Sequence, residues 1–482
     1  MNDKISRTLV GPEYGRNRRV SVRGMRWLLP VLVAGLTALT ARSGVARADE
    51  PKIEYTKFEL ANGLQVFVIE DHKAPLVYEV MWMKVGSKDE VTSRTGFAHL
   101  FEHLMFKGSA HLPDGLMDKL LEGAGGWSNA FTSSDQTVYQ NVAGSNFLEQ
   151  MLWIEADRLA GLTETLGQKK LDNQRDVVLN ERRQSYENQP YGLANLMLSA
   201  ALWPTDFGYH WDTIGYVSDL QAATVPDVKA FFAKYYIPNN ATLVIAGDVK
   251  PEAVKRLVEK YFAWIPKAPM PARPQYKLPA PLAREITLDS TDDVQTPRVY
   301  LQWRAPAGFS AEEPALDMAG AILGDGKSSR LYKRLVFDEK IAQSVSAGFG
   351  GQELAGQFEI VVTAKPGTDP KKLVAEVSEE VAKLSTTPPT AEELERAVNS
   401  HEASFLDGLE PVLQRAILLA NYEVMAHDAD YFPKDLARYR AVKVDQVEAA
   451  VAKYLKPNAR VTLTIRPGKK PTQDQLQGKD HK

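Results

Sequence analysis

Beyond residue 50 the apolar pattern opens with two runs, "GLQVFVIED" and "LVYEVMWMKVGS". Both are rich in β-branched and aromatic residues and are joined by a short turn around Lys73-Ala74-Pro75, which predicts two strands. A helix is predicted from about Gly96. After "GGWSNAFTSSD" a further strand, "QTVYQNVAG", follows. "SNFLEQMLWIEADRLAG" has the spacing of an amphipathic helix, with Ser145 as N-cap and Gly161 as stop. A long helix is predicted from about Gly167 to Tyr186. The second half repeats the mixture, and Thr390-x-x-Glu393 is a capping box that opens one of its helices. The pattern is that of an α+β protein, with helices packed on largely antiparallel sheets.

The halves also resemble each other. "VPDVKAFFAKYYIPN" (Val225 to Asn239) matches "VDQVEAAVAKYLKPN" (Val444 to Asn458) at eight of fifteen positions, at an offset of 219. Each copy reads as a helix, a Pro-Asn turn and a strand, "ATLVIAGDV" in one and "ARVTLTIRPG" in the other. A duplication accounts for this better than chance similarity between amphipathic helices. Between the copies, "IPKAPMPARPQYKLPAP" (Ile265 to Pro281) carries six prolines and reads as a stiff linker. The predicted division is 49–264, linker 265–284, 285–470, and a polar tail 471–482.

The first 48 residues are set apart from this plan. Arg16, Arg18, Arg19, Arg23 and Arg26 precede the apolar run Trp27 to Ala41, and Ala46-Arg47-Ala48 offers a small-residue cleavage site. These are the three parts of a secretory signal. Residues 25–48 alone also make such a signal, so Met1 and Met25 both fit as its start. The apolar run is shorter than the ~20 residues that span a bilayer. A periplasmic protein without a stable membrane span is the expectation, and a retained anchor the alternative. Removing 1–48 takes away nine Lys/Arg and two Asp/Glu, leaving 49 basic and 59 acidic residues and a net charge of −10. That charge argues against nucleic acid as a partner. The chain has no cysteine, so disulfides, thiolate metal sites and cysteine nucleophiles are excluded.

Any zinc site must then use His, Asp and Glu, and one stretch stands out. The chain has eight histidines, yet His99 and His103 lie four apart in "GFAHLFEHLMFKGS", with Glu102 between them. On a helix, residues i, i+3 and i+4 share a face. His99 and His103 can therefore hold one cation, with Glu102 beside it. Catalytic zinc takes three protein ligands. In "DNQRDVVLNERRQSYEN", Glu181 shares a helix face with Val177 and Val178, and a carboxylate on an apolar face must be paired or bind a metal. Glu181 is the predicted third ligand; an ion pair with a nearby arginine is the alternative.

H-x-x-E-H is the inverted order of the common zinc-peptidase motif. With it, the chain resembles the pitrilysin/insulinase family of zinc peptidases, which includes the mitochondrial processing peptidase. The resemblance runs from about Ile53 to Pro467. It implies one zinc ion held by His99, His103 and Glu181, with Glu102 as general base for hydrolysis of peptides or unfolded polypeptides. It also implies that Asn129, Ala130 and Phe131 form an edge strand to which the substrate adds as a further strand. The chain is similar in length to the short branch of the family, whose members pair two such subunits into a chamber.

Three departures stand out. The glutamate that the family usually carries seven residues before the third ligand is Gln174 here. The offset of 219 carries His99, Glu102 and His103 onto Met318, Ala321 and Ile322, so the second half has no equivalent zinc site. The family's Arg/Tyr pair falls on Val336 and Gln343. These departures predict a heterodimer, in which a related subunit supplies the pair. They also keep open a scaffold or peptide-binding subunit with a vestigial zinc site.

Overall fold

The structure is a computed structural model that describes residues 52–471; the predicted signal segment 1–48 and the tail from 472 lie outside the described residues. Its strands form two sheets. The first contains β1 (Thr56–Glu59), β2 (Gln65–Glu70), β3 (Leu76–Met83), β4 (Trp127–Thr132), β5 (Thr137–Gly144) and β6 (Ala241–Gly247), in the order β1-β2-β6-β3-β5-β4. The second contains β7 (Ile286–Asp292), β8 (Arg298–Ala305), β9 (Ala342–Gly350), β10 (Gly356–Ala364) and β11 (Val461–Pro467), in the order β7-β11-β8-β10-β9. From β2 onward the two orders correspond strand for strand. Each has one parallel pair, β2 with β6 and β7 with β11, and antiparallel pairs thereafter. The duplicated α+β architecture read from the Lys-Tyr-x-x-Pro-Asn repeat is thus present at the level of topology.

Two local expectations differ from the structure. The short turn at Lys73-Ala74-Pro75 does not close a hairpin: β6 lies between β2 and β3, pairing with both. Every residue of β6 is buried, and its apolar run "ATLVIAG" suits a central strand covered on both faces. Ser145 is not an N-cap. It sits in a 3-10 turn, Ser145–Phe147, and its hydroxyl donates to Asp248; the helix proper begins at Leu148. The capping box at Thr390 and Glu393 is present as predicted, with both reciprocal hydrogen bonds made.

The halves brace each other. The helix Val412–Asn421, from the second half, buries Ala416, Leu419 and Ala420 against Phe67, Val80 and Val244 of the first sheet. Conversely, the helix Ala194–Leu202, from the first half, buries Leu198 and Leu202 with Tyr300, Leu463 and Ile465 of the second. Each sheet therefore uses an element of the other half to cover one apolar face, and the described residues form one compact unit. The proline-rich linker has no helix or strand between Lys267 and Arg284. It is pinned to the first half where Arg273 pairs with Asp89 and Tyr276 donates to the carbonyl of Lys88.

Candidate metal and catalytic site

Helix α1 (Phe97–Leu104) carries the H-x-x-E-H residues. Its apolar positions Phe97, Leu100, Phe101 and Leu104 are buried in the first core. This anchors one side of the helix and turns His99 and His103 towards the other. Gly96 starts the helix at φ +84°, and a Cβ there would meet the carbonyl of Ile214 at 3.0 Å. Glycine meets both demands, the positive φ and the close approach. The exposed N–H groups of the first turn are not capped by a neighbouring side chain. Glu90 accepts from the N–H groups of Gly96 and Ala98, and from the Trp211 indole. Burial pushes the Glu90 carboxyl well above the ordinary glutamate range, against these three donors.

Glu181 arrives from α4, Gln168–Arg182 in the numbering that counts α2 as Leu116–Gly123 and α3 as Leu148–Gly161. α4 packs against α1 and continues as a π-helical turn, Arg183–Glu187. The face argument that singled out Glu181 holds only in part. Val178 is fully buried, but Val177 is 43% exposed, so Glu181 sits at the margin of the apolar face. It makes no ion pair with an arginine among the described residues; its carboxylate faces the two histidines instead.

The three side chains converge. Nε2 of His99 and Nε2 of His103 are 3.1 Å apart, and Glu181 approaches them at 3.7 and 3.1 Å. Ligand atoms held about 2.0–2.2 Å from a tetrahedral zinc ion lie about 3.3–3.5 Å from one another. The observed distances bracket that value, and two imidazoles with one carboxylate are a donor set that zinc takes, so the residues fit the ion. Among the described residues this is the one cluster of three such donors. Burial first, and the neighbouring His103 second, lowers His99 to about 4, so its imidazole is neutral at pH 7. The contact with His103 holds the Glu181 carboxyl below the ordinary range. Both groups therefore sit in the protonation states that bind a metal.

Glu102 is 9% exposed and is turned towards β4, where the Thr132 hydroxyl donates to its Oε2. Burial raises its carboxyl, and the Thr132 bond pulls the other way. β4 is the last strand of its sheet and, among the described residues, pairs with β5 alone. Asn129, Ala130 and Phe131 lie on this strand, so its outer edge is open and joined to Glu102 through Thr132. Gln174, about two turns back on α4 from Glu181, is buried, and among the described residues its Oε1 has no hydrogen-bond partner; nor has His99 Nδ1.

In the second half, the helix after β8 (Glu313–Gly324) places Met318 and Ile322 in the core, with exposures of 1% and 3%. The positions equivalent to the histidines thus fill hydrophobic space. Sequence reading missed Glu90 and Thr132. Thr132 directly follows the strand residues already singled out, whereas nothing local marks Glu90, whose partners lie at the start of α1 and at Trp211.

Comparison with known proteins gives the family. Residues 65–210 match the family described as insulinase (peptidase family M16), and residues 222–400 match the peptidase M16 inactive domain. The zinc protease PqqE of Helicobacter pylori is 30% identical over 461 residues, covering 93% of this chain and all of that protein. The chain belongs to the M16, or insulinase, family. The crystal structure of a protease from Helicobacter pylori superposes with a TM-score of 0.80 at 29% identity, over 86% of this chain and 100% of that one. The periplasmic protease PqqL from Escherichia coli shares the fold at 17% identity and a TM-score of 0.72, and this chain covers half of it. In M16 terms the first half here carries the H-x-x-E-H residues, and the second matches the domain described as inactive.

Proposed function

We propose that this chain is a zinc-dependent endopeptidase that hydrolyses peptides or unfolded polypeptides, with its chemistry in the first domain (49–264) and a second domain (285–470) without metal donors. The observation that carries this reading is the convergence of His99, His103 and Glu181 beside a buried Glu102 that touches an open edge strand. His99, His103 and Glu181 would hold the ion. Zinc, when bound, supplies a Lewis acid that acidifies water and polarises a peptide carbonyl. Asn129, Ala130 and Phe131 bind the substrate backbone by adding it as a strand beside β4, which reads main chain more than side chains. Glu102, ionised, takes the proton of the attacking water and delivers it to the departing amine nitrogen. Thr132 keeps Glu102 aimed and favours its charged form.

The test is zinc analysis combined with cleavage of an unfolded peptide pool, on this chain alone and with its candidate partner, before and after chelation. One zinc per chain is expected, with chelator-sensitive cleavage once the partner is present. Zinc without cleavage even with the partner would favour the second reading, a peptide-binding or scaffold subunit with a vestigial site, to which Gln174 and its unpartnered Oε1 lend weight.

The pH profile offers a finer check. Glu102 must be ionised to act, and its folded value lies above the ordinary 4.5 because of burial. Activity should therefore fall as pH drops through a value above 4.5, on the acid side of the profile. Thr132→Val removes a donor that favours the carboxylate, so the acid limb of kcat/KM should move to higher pH. An unmoved limb in that variant would dismiss Glu102 as the group that titrates there.

We further propose export to the periplasm, supported by the three-part signal pattern in residues 1–48. Sequencing of the mature protein should begin at or near Asp49; a retained Trp27 to Ala41 run would point to an anchor instead.

A further inference from the structure

We propose that the cavity beside Glu181 is a subsite for a peptide carboxylate, with Arg298 as its recognition group. This inference rests on the peptidase reading above and deepens it. The cavity, of about 690 Å3, lies between the halves: Glu181, Tyr186 and Tyr191 come from the first, and Arg298 and Tyr300 of β8 come from the second. Because Glu181 belongs both to the donor cluster and to the cavity wall, a peptide bond placed at the donors has neighbouring residues within reach of this space.

Arg298 is unusual in its setting. Its Nε donates to Thr363 Oγ1 at 2.9 Å, its Nη1 reaches the Tyr300 hydroxyl at 3.4 Å, and its guanidinium lies 3.8 Å from the centre of the Tyr191 ring. Thr363 stands directly opposite Arg298 in the β8–β10 register. The side chain is therefore half-buried and held from three directions by uncharged groups. Among the described residues it has no carboxylate partner within ion-pair distance. A fixed, partly desolvated cation without a counter-ion is costly unless something else supplies the negative charge. The remaining guanidinium N–H groups present a fork that matches a carboxylate.

The rest of the lining agrees. Glu181 and Arg298 are its two charged residues, and Ser185, Ser344 and Ser346 add hydroxyls. A lysine or arginine of the substrate would face Arg298 with no free acid beside it, since Glu181 belongs to the donor set. A carboxylate meets Arg298 and the hydroxyls. Two sources share that chemistry, an Asp or Glu side chain and a free peptide C-terminus.

The test uses the full zinc-loaded chain carrying Glu102→Gln, so that binding is read without turnover. Matched fluorescent peptides carry Glu or Gln near the centre, each with a free or amidated C-terminus, and affinity is read by anisotropy. The peptide bearing the recognised carboxylate should bind about tenfold more tightly than its neutral counterpart. The arm that shows the difference, side chain or C-terminus, identifies the source. In an added Arg298→Gln substitution that ratio should fall to about one while zinc content is kept. Thr363→Val, which frees the guanidinium without removing it, should lower the ratio in the same direction and serves if Arg298→Gln does not fold. Equal affinities for all four peptides, or a ratio unchanged by Arg298→Gln, overturns the proposal. If the ratio is found but the Glu102 form never cleaves a peptide even with the partner subunit present, the peptidase reading fails and the subsite stands. If cleavage occurs without any carboxylate preference, the subsite fails and the peptidase reading stands.

Discussion

Glu102→Gln protein is expected to keep one zinc per chain and to lose about a thousandfold in peptide hydrolysis, since a positioned acid–base group contributes about 10²–10⁴. Two features of the site set this outcome. Glu102 is not one of the three converging donors; it is turned aside to accept from Thr132, and a glutamine carbonyl can still accept that bond. The amide cannot take a proton from water, so the chemistry stops while the architecture remains. The control is Glu181→Gln. It removes a charged donor that faces both histidines, and zinc itself should be lost or weakly held. Metal analysis beside single-turnover cleavage separates the variants. Full activity in Glu102→Gln, or undiminished zinc in Glu181→Gln, contradicts the assigned roles.

The second large effect concerns what the chain lacks. Purified alone, it is expected to bind zinc but cleave poorly, and a related subunit carrying the Arg/Tyr pair should raise cleavage by about a hundredfold to a thousandfold. One donor aimed at a developing oxyanion is typically worth ~2.7–4 kcal/mol. In this chain the two positions hold Val336, which packs against the second core, and Gln343, exposed on β9. The arginines nearest to these positions along the chain, Arg330 and Arg334, are both engaged. Arg330 is bound to Glu393 through two hydrogen bonds, and Arg334 is surrounded by Glu339, Glu376, Glu379 and Glu380. Mixing with a candidate partner, then repeating with the partner's arginine substituted, gives the answer. Full activity from this chain alone sinks the heterodimer.

What could be learned from sequence was what depends on neighbours along the chain. His99, Glu102 and His103 converge because helical period places i, i+3 and i+4 together, and the buried Phe97, Leu100, Phe101 and Leu104 set which way that face turns. The capping box at Thr390 and the Lys-Tyr-x-x-Pro-Asn repeat are equally local, and both lead to features that the structure contains. Glu181 was reachable too, although through an apolar face that proves only half apolar, with Val177 in solvent. Contacts distant in sequence had to wait for the tertiary structure. Nothing in "GLQVFVIED" or "LVYEVMWMKVGS" says that a strand more than 150 residues away will enter between them. Strand order is decided by which apolar faces can be buried together, and β6, covered on both sides, takes the centre. The Thr132 bond to Glu102, the Glu90 cap on α1 and the stacking of Arg298 on Tyr191 each join residues from separate elements, whose side chains are aimed only once the sheets and helices have packed. The two halves, similar in sequence, become chemically unequal for the same reason: one helix face presents His99 and His103 to Glu181, while its counterpart, with Met318 and Ile322, is used up in closing a core.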